Sequence, residues 1–128
     1  MKKRIIQTDQ APAAIGPYSQ AVRVDNFLYT SGQIALDPQS GEFLSGEIEQ
    51  ETERTIENIS AILKAGGLSL DNVIKTTVYL TDLSHFARMN HIYEKYFSGN
   101  KPARACVQVA ALPKGAKVEI EAIAIAAS

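Results

Sequence analysis

A single cysteine in 128 residues is the plainest scarcity in this chain. Cys106 has no partner for an internal disulfide, so nothing in the sequence asks for an oxidising compartment. An excess of positive charge is missing as well. Thirteen Lys plus Arg face fourteen Asp plus Glu, a formal charge of -1, whereas a nucleic-acid binder usually carries a basic face and a high isoelectric point. No apolar run approaches the ~20 residues that a membrane-spanning helix needs. The N-terminal MKKR is basic, but only IIQT follows before Asp9, which is too little for a signal peptide. These absences predict the cytoplasm as the setting, with neither membrane nor nucleic acid as partner. Metal chemistry is equally unprovided for: His85 and His91 stand six apart, not at the i, i+4 spacing of a helical metal pair, and no Cys or carboxylate cluster completes a site. The segment AAIGP lacks phosphate-loop spacing. No repeat, low-complexity tract or Pro/Gly-rich linker divides the chain, so residues 1–128 read as one domain without metal or cofactor.

What the chain does have is a core. Apolar residues make up 45% and charged ones 21%, a globular balance. Lys2 to Gln7 reads as a short strand, and the loop APAAIGPYSQ follows it. AVRV and FLYTSGQIAL flank Asp25-Asn26, two residues that tolerate the left-handed turn of a tight hairpin. DPQSGEF is a turn-rich loop. From Glu47 to Ala65 the period changes: Ile48, Thr52, Ile56, Ile59 and Leu63 share a helical face, acidic residues gather at the N-terminal end, and Gly66-Gly67 supplies the stop. VIKTTVYL, Val73 to Leu80, is β-branched and reads as a strand. Asp82 or Ser84 can cap a second helix that puts Phe86, Met89, Tyr93, Tyr96 and Phe97 on one side. The order β-β-β-α-β-α-β-β predicts an α+β domain with both helices on one face of the sheet. No third helix is available for the other face, so neighbouring copies are expected to cover it.

The stretch KPARACVQVAALPKGAKVEIEAIAI places ionised groups inside strands. By alternation Arg104, Cys106 and Gln108 point one way, while Ala103, Ala105, Val107 and Val109 point the other. Val118, Ile120, Ala122 and Ala124 make an apolar row, with Lys117, Glu119 and Glu121 opposite. Such charges could simply be solvated on an edge strand. Small Ala103 and Ala105 beside Arg104 suggest instead room for a ligand at the guanidinium, whose planar fork matches a carboxylate bidentately. A nearby glutamate can orient a water and move protons. That combination suits hydrolysis of a small acid bearing an electrophilic carbon.

The same stretch resembles the C-terminal signature of the RidA (YjgF-like) family, the reactive intermediate deaminases. IGPYSQA, YTSGQI and FARMNHIYEKYF extend the likeness, in order, over essentially the whole chain. The resemblance implies a chorismate-mutase-like fold: a six-stranded mixed sheet in which the VIKTTVYL strand lies between the last two. It also implies a homotrimer whose sheets pack around a central barrel, with ligand clefts between subunits. The implied activity is deamination of 2-imino acids and their enamine tautomers, such as 2-iminobutanoate and 2-iminopropanoate, to 2-oxo acids and ammonia. Such species arise when pyridoxal-phosphate enzymes dehydrate serine or threonine. Residue by residue, Arg104 resembles the family's carboxylate clamp and Glu119 the residue holding the attacking water. Tyr18 resembles a tyrosine that reaches the ligand, and Ser31 and Gly32 match a segment whose backbone lines the cleft. Asn90 matches an asparagine near the pocket, and Cys106 a cysteine whose backbone faces the ligand.

The residues themselves leave blander readings open. Cys106 has no histidine beside it and can be an inert, buried small hydrophobe. Glu121 shares Glu119's face and by pattern alone could replace it. Asn90 can be a helix-packing amide, Tyr18 a surface tyrosine and Gly32 a point of close strand approach. Ala111 stands where many relatives carry a basic residue, and Gln108 where many carry Glu. Two other functions compete: a non-catalytic module that binds small acids, and a ribonuclease or translation inhibitor, a label also attached to this family.

Overall fold

The first helix shows how local sequence sets the architecture. In the computed structural model, which describes residues 2–127, α1 runs Ile48–Ala65. Glu47 caps it: the Glu47 carboxylate accepts from the backbone of Gln50, and the Gln50 side chain accepts from the Glu47 N–H at 3.0 Å. Two of the unpaired donors at the helix N-terminus are thus satisfied. At the other end Gly67 takes φ +81° and Leu68 N–H returns to Leu63 O at 2.8 Å, the left-handed termination expected of the Gly pair. Gly66 has a different duty: a Cβ there would collide with Leu28 Cδ1, so its bareness lets the helix end sit on the sheet.

The strands are β1 Lys3–Ile6, β2 Ala21–Val24, β3 Phe27–Thr30, β4 Val73–Leu80, β5 Ala103–Gln108 and β6 Val118–Ile125, and the second helix, α2, is Phe86–Phe97. The element order is the expected one. Asp25, at φ +53°, makes the two-residue turn that pairs Val24 with Phe27. Spatially the sheet runs β1-β2-β3-β6-β4-β5, antiparallel at each step except β4 with β5. β4 therefore separates β5 from β6, as the resemblance implies. The third strand is shorter than FLYTSGQIAL suggests: it ends at Thr30, and Gln33 then makes an isolated bridge to Ile120. Asp82 caps a short 3-10 turn ahead of α2, its carboxylate accepting from Ser84 N–H at 2.9 Å.

Both helices cover one face. Ile56, Ile59, Ile62 and Leu63 of α1 and Met89, Tyr93 and Phe97 of α2 close over Leu28, Val78, Leu80, Val118 and Ile120. Each buried Ile or Leu contributes roughly 1.5–3 kcal/mol. On the other face Ile5, Val22, Tyr29 and Ile123 align across four strands, and Ile5 and Tyr29 are exposed. No described helix lies over that apolar row, and none is long and apolar enough to cross a membrane.

Candidate functional site

The residues singled out by sequence fall into two groups. The first is on the helix-covered side. In the parallel ladder Arg104 stands opposite Thr76, a fully buried residue, so Arg104 leaves β5 toward α2. Its guanidinium carbon lies over the Tyr93 ring at 4.7 Å and over the Phe86 ring at 5.3 Å from the centroids. Arg104 Nη1 donates to Asn90 Oδ1 at 2.6 Å. Asn90 is thus a partner of the arginine and not an amide satisfied by the helix alone. Cys106, two residues on, faces the same way and is half-buried against the core. Burial pushes its thiol above the ordinary range, and Arg104 offsets this only in part, so at neutral pH it stays a protonated, weak nucleophile. A groove of about 780 Å³ opens beside Arg104, lined by Asn90, Tyr93, Lys95, Lys101 and Pro102 among others.

The second group is on the open face. Glu119 pairs with Tyr79, which alternates with buried Val78 and Leu80. Its carboxylate occupies the position that a Cβ on Gly32 would require, so Gly32 is where side chain and backbone meet most closely. The segment is tied down on both sides. Gln33 exchanges backbone hydrogen bonds with Ile120 at 2.8 and 3.0 Å, and Ser31 donates both its N–H, to Gln20 O at 2.9 Å, and its hydroxyl, to Ser19 O at 2.5 Å. Tyr18, next to Ser19, is exposed. Burial, then the neighbouring Glu121, raise the pKa of Glu119; burial, then Glu121 and Glu119, also raise that of the Tyr79 phenol. The Glu121 carboxylate on the same strand face thus favours the protonated form of Glu119.

Glu119, Gly32, Ser31 and the Tyr18 loop thus gather at one place, and Arg104, Asn90 and Cys106 at another, on opposite faces of the sheet. Two features read from alternation differ. Lys117 does not share the face of Glu119, because β6 begins only at Val118. Its flexible stem turns the ammonium back to Glu51 Oε2 at 3.2 Å and Gly46 O at 2.8 Å. Nor do Ala103 and Ala105 make room beside the guanidinium. They stand across from Lys75 and Thr77 on the open face, and the space beside Arg104 comes from the α2–β5 connection.

Sequence reasoning passed over three buried polar residues that hold these groups. Gln20 fixes the Tyr18 loop, accepting from Thr8 N–H at 2.7 Å and donating to Pro12 O at 2.7 Å and Thr8 O at 3.0 Å. Asn58 donates to Ile34 O at 3.1 Å and Leu36 O at 3.0 Å, behind the Gly32 segment. Glu51, wholly buried, accepts from Lys117 N–H at 2.9 Å at the head of β6. A polar residue on an otherwise apolar helical face, such as Asn58 beside Ile59, was the available signal. Tyr79 was legible too, since alternation in VIKTTVYL sets it on the polar side with Lys75 and Thr77. Among the described residues no group of three or more His, Cys, Asp or Glu is arranged to hold a metal ion.

A six-stranded mixed sheet backed by two helices, carrying a stacked arginine on one face and a glutamate seated on a glycine on the other, makes this a small α+β domain. Residues 8–126 match the family model described as Endoribonuclease L-PSP. The chain belongs to this family, the RidA (YjgF-like) family. It is 54% identical over 123 residues to the 2-iminobutanoate/2-iminopropanoate deaminase of Mus musculus, covering 96% of this chain and 91% of that protein. Two crystal structures are closely superimposable. RidA from an Antarctic Psychrobacter has a TM-score of 0.92 at 52% identity, covering 96% and 99% of the two chains. Escherichia coli TdcF with bound serine has a TM-score of 0.92 at 46% identity, covering 97% and 99%.

Proposed function

We propose that this protein is a hydrolase that deaminates 2-imino acids and their enamine tautomers, 2-iminobutanoate and 2-iminopropanoate among them, to 2-oxo acids and ammonia. The mouse relative's name, at 54% identity over 96% of this chain, carries the activity. The site is assembled between copies of the chain in a homotrimer, each cleft taking Arg104, Asn90 and Cys106 from one copy and Glu119, Gly32, Ser31 and Tyr18 from the next. Two observations support that assembly: the functional groups leave the sheet from opposite faces, and the face bearing Glu119 carries an exposed apolar row that a neighbour can cover.

The chemistry follows from the two groups. The Arg104 fork holds the substrate carboxylate. Its positive charge also repels a protonated imine, so Glu119 supplies the balancing charge as well as the base. The ionised Glu119 orients a water and takes one of its protons as the oxygen bonds to the imine carbon. The C=N electron pair moves to nitrogen and a carbinolamine results. Glu119 returns the proton to nitrogen, the C–N bond breaks with its pair leaving on ammonia, and the re-ionised Glu119 takes the hydroxyl proton as the carbonyl forms and passes it to the ammonia, which leaves as ammonium. Imines hydrolyse readily unaided, so positioning and local charge suffice, and no metal or cofactor is required.

The setting we propose is the cytoplasm, and the ligand a small acid and not a nucleic acid. A coupled assay with a threonine dehydratase tests the activity: the protein should accelerate 2-oxobutanoate release. No acceleration, with a folded protein, overturns it. The serine bound in the TdcF crystal favours one second reading, a binding module for small amino or oxo acids. Glu119→Gln separates the two, since a binding module keeps its affinity and has no turnover to lose.

A further inference from the structure

The arginine assigned to the substrate carboxylate is held by more than its hydrogen bond. An exposed arginine samples many rotamers, and a bidentate grip needs the guanidinium plane in one orientation. Here that plane has three fixed neighbours. Asn90 Oδ1 accepts from Nη1 at 2.6 Å, and Nε and Nη2 make no hydrogen bond to other described residues. The guanidinium carbon lies over the rings of Tyr93 and Phe86, 4.7 and 5.3 Å from their centroids, within the range in which an aromatic face attracts a cation. The Tyr93 ring is itself anchored by packing and a hydrogen bond. It is buried, its centroid lies 4.5 Å from that of Phe97, and its hydroxyl shares a 2.7 Å hydrogen bond with the buried Thr76 hydroxyl. Thr76 is the cross-strand partner of Arg104, so the platform and the arginine are referenced to the same point of the sheet. The aromatic floor reaches the guanidinium from helix α2, while the backbone of Arg104 belongs to β5, an edge strand.

We infer that Phe86 and Tyr93 are positioning residues for carboxylate recognition: their ring faces hold the Arg104 guanidinium in one plane, with its Nε–Nη2 edge turned to the substrate. The inference rests on the reading of Arg104 as the carboxylate clamp. The rings act through the arginine, as a lower orientational cost of gripping the substrate carboxylate. The Tyr93 hydroxyl acts on the fold through Thr76, and the ring face acts on the arginine, so the two roles can be separated by substitution.

The test uses the whole protein and 2-oxobutanoate, the expected product, as a non-reacting carboxylate probe in titration calorimetry, with thermal melts and steady-state kinetics alongside. Phe86→Leu and Tyr93→Leu should each weaken 2-oxobutanoate binding by about 5- to 20-fold. They should raise KM by a similar factor and change kcat less than about 3-fold, since a carboxylate grip serves ground and transition states alike. Tyr93→Phe keeps the ring and strands the Thr76 hydroxyl. It should lower the melting temperature yet bind the probe within about 2-fold of the original protein. Should Phe86→Leu and Tyr93→Leu bind 2-oxobutanoate normally while Arg104→Ala loses it, the clamp reading stands and the positioning inference falls. Should Arg104→Ala bind it normally, the clamp reading fails and takes the inference with it. Weakening by Tyr93→Phe equal to that of Tyr93→Leu also overturns the inference, because the ring face would then not be what matters.

Discussion

The carboxylate of Glu119 fills the space that a side chain at Gly32 would need. Position 32 thus sets how deep the glutamate sits on the open face, and it does so by having nothing there. Gly32 has no left-handed backbone to preserve, so an alanine is tolerated by the chain and refused only by the carboxylate. Gly32→Ala should fold with a nearly unchanged melting temperature while the glutamate is driven aside. Displacing a catalytic group by about 1 Å costs on the order of 100-fold, and turnover should fall by roughly 10- to 100-fold in the dehydratase-coupled assay. A variant that turns over normally would mean that Glu119 is not held by this contact for catalysis.

Strand alternation made much of this visible and stopped at a definite point. Within β6 it separates Glu119 and Glu121 from Val118 and Ile120, and within β5 it separates Arg104 from Ala103 and Ala105. It cannot say which face of one strand matches which face of another, because that depends on register. Register sets Arg104 against Thr76 and Glu119 against Tyr79, three residues apart on β4 and therefore on opposite faces. Lys117 misled for another reason. A long stem lets its ammonium leave the side that its Cα suggests, and a buried glutamate draws it there. Glu51 itself read as a helix N-terminal acid, and only the packing of α1 against the head of β6 shows it as an internal acceptor. The two helices, the order of elements along the chain and the Asp25 turn were legible because each depends on contacts local in sequence, whereas the spatial strand order, with β3 beside β6, rests on distant pairings and came only from the family resemblance.

The raised pKa of Glu119 has consequences of opposite sign for activity and stability. As the proposed base it must be ionised, so kcat/KM should fall on acidification with a midpoint above the ordinary glutamate range. Glu121 is the second cause of that shift, after burial. Glu121→Gln should therefore move the acid limb toward lower pH without abolishing turnover. For stability, a carboxyl with a raised folded pKa binds its proton more tightly folded than unfolded. Its contribution is favourable below the ordinary range and is lost as pH rises through the folded value. Glu119→Gln, inactive, should then be slightly more stable than the original protein at pH 8, by less than about 1 kcal/mol given its partial exposure. Melts that show a loss of stability at pH 8, or an acid limb unmoved by Glu121→Gln, would contradict this electrostatic picture.

Glu51 and Lys117 make a pair of unequal burial, the carboxylate wholly enclosed and the ammonium partly in solvent. Removing one partner of a buried pair leaves an uncompensated charge. Lys117→Met keeps most of the stem and should cost about 3 kcal/mol, read as a shift in the denaturant midpoint. Adding Glu51→Leu to Lys117→Met removes the stranded carboxylate and should recover part of that loss. A double variant destabilised by the full sum of the two single changes would show that the pair is not coupled as its geometry indicates.

Arg104 and Glu119 lie on opposite faces of one sheet, and the cleft proposed above takes one of them from each of two copies. A shared cleft therefore needs two copies, and this yields a prediction that no monomeric site can satisfy. Arg104→Ala and Glu119→Gln homotrimers should each be inactive, since every cleft lacks one of the two groups. When the two variants are denatured together and refolded as an equal mixture, about one cleft in four should combine an intact arginine from one copy with an intact glutamate from its neighbour. Turnover should return to roughly a quarter of the original level, and simple mixing of folded variants without subunit exchange should return none. Crosslinking or native mass measurement would establish that mixed trimers formed. If they form and turnover stays at zero, the two residues do not serve a common cleft, and the composite site proposed for this protein would have to be abandoned.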